Sequence, residues 1–364
     1  MPKKTEARSM ERRLAEAIAV IRPLDAKALA AARHRQGRLT KPPGSLGRLE
    51  EVSIQLAGIF GDERPRIRRK TVIVAAGDHG VVAQGVTAYP QEITGQMVLN
   101  FLAGGAAVSV MAKHAGVRLL VVDAGVASEL PDHPWLRRVA MGKGTGDIAR
   151  GPAMTRRQAH ACLFAGVEIA KKAIEEGADV LGTGDMGIGN TTPSSAIAAV
   201  MTGKTPGVTT GKGTGRTPQE LRRKAAVVAK AIAVNRPERR DAIDVLTKVG
   251  GFEIGVLAGV ILGAAIMRRP VVLDGFISGA AALIACSLSP EAKDYCIASH
   301  RSAERGHRVV LQHLGLRPLL DLDMRLGEGT GAVLAMGIVE AAAACLREMA
   351  TFDEAGVSNR PVRP

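Results

Sequence analysis

The sequence predicts an α/β protein, a doubly wound parallel sheet with a small helical subdomain. Three observations carry that reading. Six short apolar runs each lead straight into a Gly-rich or polar segment, the look of strands buried on both faces. Helical patterns fill the gaps between them, which is the alternation of βαβ units. Hydrophobic residues make up 46 % of the 364, enough for a sizeable core. Aromatics are only 2 % while glycines number 42, so the core must be closely packed Ala, Val, Leu and Ile, with many backbone-lined loops.

The elements follow in chain order. Ser9–Arg35 reads as one long Ala-rich helix, followed by Lys41-Pro42-Pro43-Gly44-Ser45-Leu46-Gly47-Arg48-Leu49-Glu50. Residues 1–65 form an N-terminal helical segment, completed as a small domain by a C-terminal helix over 332–350. The large catalytic domain spans 66–331. Its strands are Thr71–Ala76, Arg118–Val122, Asp179–Leu181, Val271–Leu273, Tyr295–Ala298 and Leu319–Leu322. Its helices include Thr94–Ala115, Arg156–Glu176, Pro218–Val234 and Arg301–Leu314. Ile254–Met267 is the longest uncharged apolar run. It is too short to span a bilayer and contains three glycines, so it reads as a buried helix. Residues 352–364 read as a flexible tail. In such sheets ligands bind outside the carboxyl ends of the strands, where the unusual chemistry of this chain also lies.

Charge and cysteines narrow the classes. Lys+Arg 49 against Asp+Glu 35 gives a net charge of +14, a basic surface suited to anionic small molecules. Nucleic acid has no motif behind it, and nine aromatic residues (Trp 1, Tyr 2, Phe 6) offer little to stack bases on. Cys162, Cys286, Cys296 and Cys345 have no C-x-x-C spacing and sit among apolar residues, as buried thiols in a reducing compartment do. Met1–Arg13 has no apolar region behind it. The expectation is a cytoplasmic protein without a membrane span.

Gly182-Thr183-Gly184-Asp185-Met186-Gly187 matches G-x-G-x-x-G, a weak dinucleotide signal by itself. A nicotinamide site would want an acid about 20 residues on, but no Asp or Glu lies between Asp185 and Glu220. The charged residues there are Lys204, Lys212 and Arg216, and Thr191 and Thr192 fall at a helix N-terminus. That composition suits a phosphate, with simple N-capping as the alternative. No P-loop and no Gly-x-Ser-x-Gly elbow occurs. Asp274 stands alone after its strand, and Asp321 with Asp323 fits capping or pairing as well as a metal. Gly-x-Gly-Thr-Gly recurs at 142–146, 211–215 and 327–331, as a tight turn or as an anion-binding loop. Glu328, between Gly327 and Gly329, reads as a desolvated base or as a carboxylate favoured at a helix start. His79, His300 and His307 read first as hydrogen-bonded structural residues.

Thr40–Gly47, Ala76-Gly77-Asp78-His79-Gly80, Tyr89-Pro90-Gln91-Glu92-Ile93-Thr94, Met186–Thr192 and Arg325–Gly331 together resemble the nicotinate-nucleotide–dimethylbenzimidazole phosphoribosyltransferase family. The blocks stand in order over about residues 10 to 350. The resemblance implies a Rossmann-like sheet with a small helical domain, as a homodimer. It implies the conversion of nicotinate mononucleotide and 5,6-dimethylbenzimidazole into α-ribazole 5′-phosphate and nicotinate, for the lower ligand of cobalamin. Glu328 matches the family's general base. Asp185 stands where the family usually has Glu, one methylene shorter. Gly187, Ile188, Gly189, Asn190, Thr191, Thr192, Ser302 and Lys224 are implied to bind substrate, with Tyr89, Gln96 and Leu326 at the base. The pyridinium is already a good leaving group, so the scheme calls for no cofactor or metal. The rivals are a basic nucleic-acid-binding protein and a nicotinamide-dependent oxidoreductase.

Overall fold

The computed structural model describes residues 11–211 and 217–358. Its centre is one six-stranded sheet of β1 (Lys70–Gly77), β2 (Val117–Gly125), β3 (Leu136–Arg138), β4 (Val180–Met186), β5 (Val271–Leu273) and β6 (Cys296–Ala298). The spatial order is β3-β2-β1-β4-β5-β6 and every pairing is parallel. The order reverses between β1 and β4, whose Ala75 and Asp185 are register partners. A crevice opens at such a switch point, beyond the carboxyl ends of the strands.

The strands bury both faces, as alternate side chains require. On one face Ile73, Ala75, Leu120, Val122 and Leu181 join a core with α5 (Arg156–Glu175), α8 (Ala242–Val249), α9 (Phe252–Ile266) and α10 (Phe276–Leu288). On the other, Val72, Val74, Val121 and Val272 pack on α3 (Ile93–Ala103), α4 (Ala107–His114) and α12 (Thr330–Glu348). The glycines of the apolar run serve a crossing. A Cβ on Gly259 would lie 2.1 Å from the Leu163 carbonyl oxygen, and one on Gly166 would lie 2.0 Å from that of Val256. Only bare backbone lets α5 and α9 approach so closely. Ile93–His114 and Thr330–Glu348 are long and apolar enough to cross a membrane by length and composition. Here their apolar faces, through Val98, Phe101, Val333 and Val339, complete that second core layer.

Several expected elements differ. The single helix Ser9–Arg35 is interrupted: residues 11–18 are helical, then the chain breaks at Pro23, and Asp25 caps a new helix, α1 (Ala26–Arg38), by accepting from the Ala28 N–H at 2.8 Å. Helix α2 is Arg48–Phe60, and Ala32, Ala57 and Leu346 join α1, α2 and α12 in a small cluster. Thr94–Ala115 is two helices, because Gly104 ends α3 in the left-handed region at φ 82°. Leu319–Leu322 is not a strand: it follows Pro318, makes one parallel bridge to His300 through Leu320, and leaves Leu322 55 % exposed. The sixth strand is instead the three-residue β3, which pairs Leu136 with Val121. Within the expected tail, Thr351 caps a short helix, Phe352–Ala355, while 359–364 lie outside the described residues.

Candidate active site

A cleft of about 420 Å³ lies beyond the carboxyl ends of β4, β5 and β6. Its floor comes from Asp185 to Thr191, its walls from Gly275–Ile277, His300, Ser302 and Glu304, and its rim from Arg325–Glu328 and residues 86–97. Each segment leaves a strand end or enters a helix start. Helix α6 (Thr191–Thr202) begins at the floor, so the positive end of its dipole favours an anion there, although the Thr192 N–H already donates to the Gly189 carbonyl at 3.0 Å and Pro193 carries none. The Lys224 ammonium, buried on α7 (Pro218–Asn235), donates to Thr191 Oγ1 at 2.6 Å. That bond sets a positive charge beside the same helix start.

Three carboxylates line the cleft: Glu304 on the wall, and Asp185 and Glu328 at the floor and rim. Asp185, the penultimate residue of β4, is 5 % exposed; its Oδ2 accepts from Asn190 Nδ2 at 2.8 Å, while Oδ1 is buried without a partner among the described residues. Burial and the neighbouring Asp274, Glu253 and Glu328 push its carboxyl well above the usual range. Glu328 is 6 % exposed and its Oε2 is likewise buried and unpartnered. Burial raises this carboxyl too, opposed by the Val108 N–H at the start of α4. Glu328 has φ 61°, a left-handed backbone that a β-branched or long side chain rarely adopts. Such strain persists only where the surroundings over-determine it. Here the Glu328 N–H donates to the Asp185 carbonyl at 3.2 Å, and a Cβ on Gly184 would lie 2.6 Å from the Glu328 carbonyl oxygen. Gly184 thus lets the glutamate loop lie directly on β4.

Asp274 secures the other side of that loop. It accepts from the N–H groups of Gly329, Gly331 and Ala332 at 3.1, 2.7 and 3.2 Å, capping α12. Burial pushes its carboxyl up to about 7 against the pull of those donors. Asp274→Ala should leave three buried donors unsatisfied and cost about 3 kcal/mol or more. Urea unfolding reads this directly, and an unchanged midpoint would show that Asp274 does not brace the loop.

The expected residues are placed as follows. Asp185, Gly187, Ile188, Gly189, Asn190, Thr191, Lys224, Ser302, Tyr89, Leu326 and Glu328 all line the cleft. Thr192 is fully buried behind it, and Gln96 is exposed and off the lining; α3 presents Ile93 and Met97 instead, one turn apart. Helix α11 (Arg305–Leu314) begins at Arg305 rather than Arg301, because the Arg301 N–H goes to the Leu320 carbonyl and that of Ser302 to His307 Nδ1. This frees Ser302 and Glu304 to form the wall. His300 lines the cleft wall, whereas His79 and His307 are buried in the fold. His79 bonds Glu253 at 2.9 Å in full burial, and His307 is forced down to about 3 by burial. Of the Gly-x-Gly-Thr-Gly loops, 142–146 docks on Asp78 as a structural turn and 327–331 forms the rim. Residues 212–215 of the third, with Lys212 and Arg216, lie outside the described residues. Among the described residues no cluster of three or more His, Cys, Asp or Glu could hold a metal, and Asp321 accepts from Arg301 at 3.2 Å. Sequence reasoning did not find Ile93, Met97, Phe276, Ile277 or Arg325 as lining. The spacing of Ile93 and Met97 on one helix face was the available signal.

Comparisons with known proteins point to one family. A family model described as phosphoribosyltransferase matches residues 21–357. A nicotinate-nucleotide–dimethylbenzimidazole phosphoribosyltransferase of Roseiflexus sp. (strain RS-1) is 58 % identical over 347 residues, covering 95 % of this chain and 98 % of its own. One from Desulforudis audaxviator is 55 % identical over 338 residues, covering 93 % and 96 %. The crystal structure of such an enzyme from Thermus thermophilus superposes with a TM-score of 0.88 at 50 % identity, covering 92 % of this chain and all of the other.

Proposed function

The chain belongs to the nicotinate-nucleotide–dimethylbenzimidazole phosphoribosyltransferase family, and from that premise we propose how its cleft carries out the reaction. The enzyme transfers the phosphoribosyl group of nicotinate mononucleotide to 5,6-dimethylbenzimidazole, in the synthesis of the lower ligand of cobalamin. The products are α-ribazole 5′-phosphate and nicotinate. The observation that carries the assignment of roles is the pair of buried carboxylates, Asp185 and Glu328, each with an unpartnered oxygen at one cleft.

The phosphate end is the start of α6, with the Lys224 ammonium beside Thr191. The ribose lies over Asp185, whose raised affinity for a proton falls when a cationic pyridinium enters beside it. As the C1′–N bond to nicotinate breaks, its electron pair leaves with the ring, and C1′ gains oxocarbenium character facing Asp185. One nitrogen of dimethylbenzimidazole attacks C1′ through its lone pair. The proton on its other nitrogen becomes acidic and passes to Glu328. The Val108 N–H favours the ionised form of Glu328 and partly offsets the burial that raises its carboxyl. Apolar Ile93, Met97, Leu326 and Phe276 line a slot suited to a flat dimethylated base.

Incubation with both substrates should give α-ribazole 5′-phosphate; no product would overturn the assignment. The phosphate placement has its own test. Lys224→Met should raise KM for the mononucleotide by about tenfold or more, since a charge-assisted hydrogen bond contributes about 1.5–3 kcal/mol. It should change the weak reaction of nicotinate riboside little. Equal losses on nucleotide and riboside would remove Lys224 from the phosphate site. Exposed Leu99, Val110 and Leu334 on the α3, α4 and α12 layer support a homodimer. Four free thiols support a reducing, cytoplasmic setting.

A further inference from the structure

We propose that His300 binds a hydroxyl of the substrate ribose through its bare Nε2, and so orients the sugar between the cleft wall and Asp185. The inference rests on the reaction assigned above and deepens it, because it gives the ribose a second contact and names the group on the sugar that the contact reads.

The tautomer follows from the hydrogen bonds behind the ring. His300 stands just beyond β6, and its Nδ1 lies 3.0 Å from Ser299 Oγ. The Ser299 hydroxyl donates to the Asp274 carbonyl at 2.9 Å. A hydroxyl has a single proton to give. Ser299 Oγ can therefore only accept from the ring, and Nδ1 carries the hydrogen. The Asp274 carboxylate, 4.0 Å from Nδ1, favours the same arrangement. Burial lowers the proton affinity of the ring, and the His307 ring tilted against it at 6.1 Å is also held neutral by burial. A neutral imidazole with its hydrogen on Nδ1 has a lone pair on Nε2.

Packing aims that lone pair at the cleft. The Nδ1 edge is turned to the start of α12, where a Cβ on Gly331 would lie 2.0 Å from Nδ1. The other edge runs past Gly275, a wall residue, whose Cβ position lies 3.5 Å from Cε1 and 3.8 Å from Nε2. Nε2 has no hydrogen-bond partner among the described residues, and unlike Asp185 Oδ1 and Glu328 Oε2 it is reached by solvent. Asp274 neighbours both Asp185 and His300, which sets the ring next to the ribose.

An acceptor that cannot donate selects its ligand. The phosphate and the ring carboxylate of nicotinate mononucleotide present oxygen lone pairs, which Nε2 repels. The N–H of dimethylbenzimidazole goes to Glu328. The remaining donors of the two substrates are the 2′- and 3′-hydroxyls of the ribose.

The experiment measures kcat/KM for wild type, His300→Gln and His300→Phe on nicotinate mononucleotide and its 2′-deoxy and 3′-deoxy forms, with dimethylbenzimidazole as acceptor. Loss of a hydroxyl alters the reactivity of C1′ itself, so the comparison is between enzymes for each sugar. The expected result is that His300→Phe reduces the preference for ribose over one of the two deoxy sugars by about fivefold, the worth of one neutral hydrogen bond. The sugar concerned identifies the hydroxyl. His300→Gln should keep part of that preference, because its carbonyl oxygen can stand near the place of Nε2 and accept. Unchanged preferences in His300→Phe, whatever its overall activity, would overturn the proposal and leave His300 a structural residue. Should His300→Phe not fold, nitrogen NMR of the wild-type histidines gives the answer. Hydrogen on Nδ1, with a bare Nε2 that gains a hydrogen bond on adding nicotinate mononucleotide, supports the proposal. Hydrogen on Nε2, or an Nε2 that the nucleotide leaves unchanged, overturns it. A wild-type enzyme that forms no α-ribazole 5′-phosphate is a separate outcome: it overturns the underlying reaction, and the same spectrum still decides whether His300 meets the nucleotide.

Discussion

Glu328→Gln should retain the fold and lose about 10²–10⁴-fold in turnover, the usual cost of removing a general base. The amide is nearly isosteric, so the left-handed turn at φ 61° and the bond from the 328 N–H to the Asp185 carbonyl are kept. What is lost is an acceptor for the benzimidazole proton. The pH profile makes the test specific. Burial raises the Glu328 carboxyl above its ordinary value, and the base acts only when ionised. In the wild type, kcat/KM should therefore fall as pH drops through a midpoint above the usual glutamate range. The Gln variant should show no such limb. Wild-type-like turnover in the variant, or an unshifted limb, would remove Glu328 from the proton transfer.

Asp185→Asn should lower kcat by about 10²-fold, within the range seen when a preorganised electrostatic contact to a transition state is removed. The asparagine oxygen can still accept from Asn190, so the floor of the cleft is preserved and the charge alone is removed. Affinity for dimethylbenzimidazole should change little, because the carboxylate faces the ribose. Unchanged kcat with an altered KM for the base would contradict that placement. Asp185→Glu is the informative companion. The glutamate keeps the charge and should be tolerated, if the added methylene fits beside Gly327, whose Cβ position lies 3.3 Å from the Asp185 oxygens.

The large-scale plan was legible because burial on both faces writes strands as continuous apolar runs. Thr71–Ala76, Arg118–Val122 and Val271–Leu273 fall within or on the strands observed. Strand β3 was not legible. It has three residues, two of them arginines, at the sheet edge, where no burial pattern is imposed. Leu319–Leu322 misled for the opposite reason: Leu319 and Leu320 pack on the core beside the sheet edge with a single bridge and no ladder. The break in Thr94–Ala115 was written in Gly104-Gly105, but apolar periodicity continues across it. Within the site, the acid-free stretch and the glycines around Glu328 were visible in one dimension. The crossing of β4 by the glutamate loop, the capping of that loop by Asp274 and the exposure of Gln96 depend on long-range packing. Local sequence does not encode them.

The proposed mechanism turns on two carboxylates that serve opposite sides of one direct displacement at C1′. The anomeric configuration of the product tests this most directly, read by nuclear magnetic resonance on ribazole 5′-phosphate from the β-nucleotide. Attack on the face opposite the leaving nicotinate, with Glu328 at the incoming base, predicts the α anomer alone. A β product would mean two successive displacements, with Asp185 forming a covalent ribosyl intermediate. A mixture would mean a free cation captured on either face. Either result would contradict the division of roles between Asp185 and Glu328.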